Sequence, residues 1–155
     1  MKKFYISLSV LSIIAVKAQN FQEISQPALK DYFYSAAAVA DFDNDGFKDI
    51  FFTGAIDSDG DTNVDETSNQ FYKNVNGTFS VIQDFSDNAV HLSAVESIDF
   101  DNDGLLDIIT TGLSYNDVVN YKHYRFKNTG SGFAQAEELP GKIYGGLGVF
   151  DFNHD

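Results

Sequence analysis

Asp41-Phe42-Asp43-Asn44-Asp45-Gly46-Phe47-Lys48-Asp49 places four carboxylates at positions one, three, five and nine of a nine-residue stretch. Carboxylates at alternate positions of a curling backbone converge on one point, and Gly46 permits the sharp turn that the curl needs. Asp41, Asp43 and Asp45 each offer an oxygen, the carbonyl of Phe47 faces inward, and Asp49 closes the shell. Such a set of six to eight oxygens at about 2.3–2.6 Å is what Ca²⁺ prefers, whereas Mg²⁺ keeps its waters and demands stricter octahedral geometry. The stretch returns 58 residues later as Asp99-Phe100-Asp101-Asn102-Asp103-Gly104-Leu105-Leu106-Asp107. The second set is therefore Asp99, Asp101, Asp103, the Leu105 carbonyl and Asp107. A third start, Asp151-Phe152-Asn153-His154-Asp155, makes Asp151, Asn153 and Asp155 a weaker candidate set, because Asn153 replaces the second acid.

One acidic loop alone would read as a solvated turn, since Asp, Asn and Gly are good turn formers. Two copies in register, each crowding four like charges, would repel without a cation. Zinc, iron and copper are disfavoured: they want nitrogen or sulfur, but the chain has no cysteine, and His91, His123 and His154 lie far apart. An EF-hand loop would end with Glu at position twelve and run into a helix. The twelfth positions here are Phe52 and Thr110, inside strand-like runs. Catalysis by paired carboxylates is also disfavoured, because an active site occurs once per domain and these acids recur. No Ser/His/Asp or Cys/His arrangement and no phosphate loop stands out, so no catalytic residue and no enzyme activity is expected.

The similarity extends past the acids. Ile50-Phe51-Phe52-Thr53-Gly54 matches Ile108-Ile109-Thr110-Thr111-Gly112, and Phe71-Tyr72-Lys73-Asn74, then Gly77 and Phe79, matches Tyr124-Arg125-Phe126-Lys127-Asn128, then Gly132 and Phe133. These read as strands joined by a tight turn. Ala36–Ala40, Ala94–Ile98 and Gly146–Phe150 precede the loops as further strands. Each unit thus holds about four short strands in some fifty residues, the size of a propeller blade. The expected division is 1–18 signal peptide, 19–34 lead-in, 35–92 and 93–145 first and second repeats, and 146–155 the start of a third.

Lys2 and Lys3 ahead of the apolar run Phe4–Val16, with Val16-Lys17-Ala18 before Gln19, have the layout of a secretory signal. The run is too short for a stable membrane span, and a lipid anchor would need a cysteine. The expected location is secreted, extracellular or cell surface. Formal net charge is −13, and loss of Lys2, Lys3 and Lys17 takes it to −16. That balance disfavours nucleic acid and anionic lipid. Fifteen Phe and eight Tyr argue against disorder.

Strand, Asp-x-Asp-x-Asp-Gly-x-x-Asp, strand, Gly, from about Ser35 onward, resembles the FG-GAP/VCBS repeats of integrin α-like propellers. The resemblance implies an all-β propeller with calcium in the hairpin loop between a blade's first two strands. No Phe-Gly…Gly-Ala-Pro signature is legible. The function implied is a binding or adhesion module engaging an extracellular glycan or protein. Alternatives are a non-catalytic accessory propeller of a secreted polysaccharide-degrading enzyme and a structural spacer in a large surface protein. Asp57, Asp59, Asp61 and Asp65 occur only in the first repeat, as a further cation site or a solvated hairpin loop. Tyr115, Tyr121 and Tyr124 present faces to sugars or fill the core.

Overall fold

The computed structural model describes residues 29–61, 63–114, 120–140 and 146–150. The signal-peptide stretch, residues 19–28 of the lead-in, Tyr115 and the Asp151, Asn153 and Asp155 set lie outside the described residues. The chain is all-β: β1 Phe33–Ala40, β2 Asp49–Ile56, β3 Glu66–Val75 and β4 Thr78–Asp84 form one antiparallel sheet in sequential order. After a single 3₁₀ turn at Ser86–Asn88 come β5 His91–Ile98, β6 Asp107–Leu113, β7 Tyr121–Phe126 and β8 Glu137–Glu138, which form a second sheet in the same order. No helix among the described residues is long and apolar enough to cross a membrane.

Repetition holds at the level of single backbone angles. Asn44 and Asn102 have φ of 58° and 57°, Gly46 and Gly104 have 93° and 87°, and Tyr34 and Leu92 have 48° and 47°. The last pair sits in a bulge where the β1–β2 and β5–β6 registers shift, between Phe33 and Ala36 and between His91 and Ala94. The bulge explains the glycine that ends each strand motif: a Cβ on Gly54 would meet Ser35 Cβ at 2.7 Å, and one on Gly112 the His91 carbonyl oxygen at 2.7 Å. In the first sheet, Asn76 and Gly77, both at positive φ, make the two-residue turn that joins β3 to β4.

The second sheet departs from this pattern after β7. Its chain makes an isolated bridge between Asn128 and Phe133 before the short β8. Residues 146–150 form no strand, whereas Ala36–Ala40 and Ala94–Ile98 lie within β1 and β5. Those two strands each pair with the second strand of their own sheet, and among the described residues 146–150 has no such neighbour.

The sheets stack front to back. Cross-strand partners share a face, so Ala38, Phe51 and Phe71 line one side of the first sheet, and Ile108, Phe126, Thr110 and Tyr124 one side of the second. All of these but Thr110 meet in a single core. The repeat equivalent of Ile108 is Ile50, on the opposite face of the first sheet from Phe51. The contact is therefore directional. Phe51 is fully buried with ring centroids 5.2 Å from Phe126 and 5.4 Å from Phe133, and Phe71 lies 4.9 Å from Phe133. Polar bonds pin the stack: Thr53 Oγ1 donates to the Val90 carbonyl at 2.7 Å, and Gln83 exchanges two bonds with the Phe133 backbone. Tyr124 is one of the core residues, not a surface platform.

On the other face of the first sheet Tyr32 stacks on Phe52, with centroids 5.4 Å apart, and its hydroxyl donates to Gln70 Oε1. Burial pushes that phenol well above its ordinary range.

Gly112→Ala is expected to cost about 1–3 kcal/mol, because the His91 carbonyl is backbone and yields poorly. Gly148→Ala, where no atom lies within 4 Å of the added carbon, should stay within about 0.5 kcal/mol of the parent. Paired denaturant melts check both; equal losses would mean that the bulge does not require the glycine.

Candidate metal centre

Each acidic loop is the hairpin connection between the first two strands of its sheet. In the first, Asp41 folds the turn by accepting from the backbone N–H of Asp45 through Oδ1 at 3.0 Å and of Gly46 through Oδ2 at 2.9 Å. Asp99 repeats this with Asp103 at 3.1 Å and Gly104 at 2.8 Å. The fifth-position acids hold the residues after the glycine: Phe47 N–H donates to Asp45 and Leu105 N–H to Asp103.

The ninth-position acids behave differently. Asp49 and Asp107 are 0% and 1% exposed. Asp49 accepts from Phe42 N–H at 3.2 Å and Asn74 N–H at 2.8 Å, and Asp107 from Phe100 at 3.1 Å and Asn128 at 2.7 Å. Each thus ties the loop's second residue to the third strand or, for Asp107, to the chain just past its end. Burial raises the Asp49 carboxyl above the usual carboxylate range, with the charges of Asp45 and Asp41 adding to the effect.

Carboxylate oxygens of Asp41, Asp43 and Asp45 lie within 4.8 Å of one another, as do those of Asp99, Asp101 and Asp107. Two oxygens on opposite sides of one Ca²⁺ are about 5 Å apart, so each trio fits inside a single shell. The donors are all oxygen, and no histidine joins them, which suits a hard cation. Asp49 stands outside the first trio and Asp103 outside the second. In the second loop Asp107 both braces and converges, whereas in the first Asp49 only braces.

A third trio, Asp57, Asp59 and Asp61, occupies the loop between β2 and β3. Asp65 does not join it: its carboxylate takes the Ser58 N–H at 2.7 Å and the Ser58 hydroxyl at 2.5 Å, and the hydroxyl holds it below the usual range. These acids also bond N–H groups of their own loop, Asp57 that of Gly60 and Asp61 that of Asn63, as a solvated hairpin loop does.

Four further residues belong to the centre. Lys73 pairs with Asp43 and, at 3.0 Å, with Asp45; Lys127 pairs with Asp101 and, at 3.2 Å, with Asp103. The Lys127 contact holds Asp101 below and Lys127 above their ordinary ranges. Asn74 Nδ2 donates to the Lys48 carbonyl, and Asn128 Nδ2 to the Leu106 carbonyl and across the sheets to that of Phe42 at 2.7 Å. The signal for all four was the repeated Lys-Asn pair, which strand matching absorbed as mere similarity.

Asp49→Ala is expected to cost about 2–4 kcal/mol with or without metal, because a buried and a half-buried N–H group lose a charged acceptor. Asp43→Ala, whose carboxylate bonds the Asp45 N–H at the exposed end of the loop, should cost under about 1 kcal/mol in chelator. Chemical denaturation in excess chelator separates the two. Similar losses would show that ninth-position bracing is not special.

No protein-family model, curated protein or solved structure matches this chain.

Proposed function

We propose that the chain is part of a secreted, calcium-stabilised β-propeller, its two sheets being consecutive blades, and that it works as a rigid binding or adhesion module toward an extracellular glycan or protein. The observation that carries this reading is the acidic hairpin built twice, with matching left-handed Asn and Gly angles and a convergent carboxylate trio in each.

Directional stacking supports the blade interpretation. A front-to-back contact repeats without self-closure at two members, and rings of sheets use such heterologous contacts. Thr53 Oγ1 finds its acceptor in the segment that enters the next sheet. Thr111, its repeat equivalent, is 4% exposed, and its hydroxyl has no hydrogen-bond partner among the described residues. A third sheet entering as the second does would bring a carbonyl to that place. Calcium supports the assembly by neutralising loops that otherwise hold four acids against one lysine. The acidic balance of the chain suits cations and disfavours polyanions.

Calorimetric titration with CaCl₂ is expected to show one site per repeat loop, with dissociation constants of about 10⁻⁴–10⁻³ M. Each filled site adds about 1.4 kcal/mol per tenfold calcium excess, so chelation lowers the melting temperature. Asp43→Ala and Asp101→Ala should each remove one site and part of that chelator-sensitive shift. Identical melting curves with and without chelator in the parent protein would overturn the proposal.

A further inference from the structure

We infer that Lys73 and Lys127 set the cation affinity of the two loops, each acting as a tethered counter-ion that a divalent ion must displace; this rests on the calcium reading above. The chain has ten Lys and Arg residues among 155, and one lysine pairs with the acids of each repeat loop. Each precedes the asparagine whose N–H holds its loop's buried ninth-position aspartate. That aspartate fixes the distance between the third strand and the loop, and so delivers the ammonium to the third- and fifth-position acids in both repeats.

These two acids are expected ligands of both loops, and Asp43 and Asp45 sit in the first trio while Asp101 sits in the second. An ammonium and a Ca²⁺ cannot share them at contact distance. The ammonium carries hydrogens that take the same oxygen lone pairs, and two cations so close repel. Binding is therefore an exchange: the loop opens from its lysine before the ion enters, and apparent affinity falls by the fraction of loops held. Lysine suits the part because it is a compact point charge on a flexible stem. Its side chain is 28% exposed at position 73 and 50% at position 127, so the displaced ammonium has water to enter.

The two loops should differ. Lys73 is the more enclosed, and both of its partners belong to one trio, so it competes at two ligands. Lys127 touches one trio member, Asp101, and the outlying Asp103.

The test is calorimetric titration of the full chain with CaCl₂ at low ionic strength, for the parent, Lys73→Gln, Lys127→Gln and the charge-keeping Lys73→Arg. Lys73→Gln is expected to tighten one site about fivefold, Lys127→Gln to tighten the other by less, and Lys73→Arg to stay nearer the parent than Lys73→Gln does. The apo melting temperature of each Gln variant should drop while its calcium-saturated value holds. Parent uptake of calcium with unchanged or weaker binding in both Gln variants would overturn the lysine role and leave the calcium reading standing. No uptake by the parent or any variant would overturn both.

Discussion

A carboxylate with no exposure to water is tolerated only when its charge is answered by hydrogen bonds, and Asp49 and Asp107 meet that demand in the same way. Each accepts one backbone N–H from inside its loop and one from the third strand or the residues just after it. The acid is thus a strut between two segments that are not adjacent in the sheet order. With the strut in place the loop cannot splay, and its remaining acids are held in a small volume at the sheet's edge. The concentration of negative charge that invites a cation is a consequence of this buried bond set, not of acidic composition alone.

The loops, the strand runs and their order were legible in the sequence because they depend on local chemistry. Asp, Asn and Gly at fixed spacing impose the left-handed angles at Asn44 and Gly46, and apolar alternation imposes the strands. The four-strand unit followed from the repeat, and β1 to β7 lie where the repeated runs fall. Less legible was everything that depends on a distant partner. The glycines at 54 and 112 read as strand ends, yet their reason is a bulge in the preceding strand, twenty residues away. Asp49 and Asp103 were counted among the converging ligands, but the first trio leaves out its buried ninth-position acid and the second its exposed fifth-position acid, a difference that the shared spacing does not announce. Asn128 looked like the end of a strand. Its bond to the Phe42 carbonyl spans 86 residues, and no local pattern announces such a contact.

Asn128 also shows how the two loops come to occupy one edge of the stack. Its N–H serves Asp107, and its side-chain amide serves both Leu106 in the second loop and Phe42 in the first. At 1% exposure it has no water to fall back on, so shifting one sheet against the other would strand a buried donor at a cost of about 1–3 kcal/mol. The register of the stack is therefore specified at the loops as well as in the core.

That division of labour suits a core of this composition. Six of the eleven buried residues of the core are phenylalanines, and rings in tilted and edge-on contact tolerate several arrangements. Area alone would hold the sheets together without fixing their offset. The polar residues buried among them, Thr53, Asn69 and Asn128, each bond a partner that one offset satisfies. A chain without cysteine cannot lock that offset covalently. It is left to hydrogen bonds at the sheet interface, and to whatever charge the loops admit, to make one stacking geometry more favourable than its neighbours.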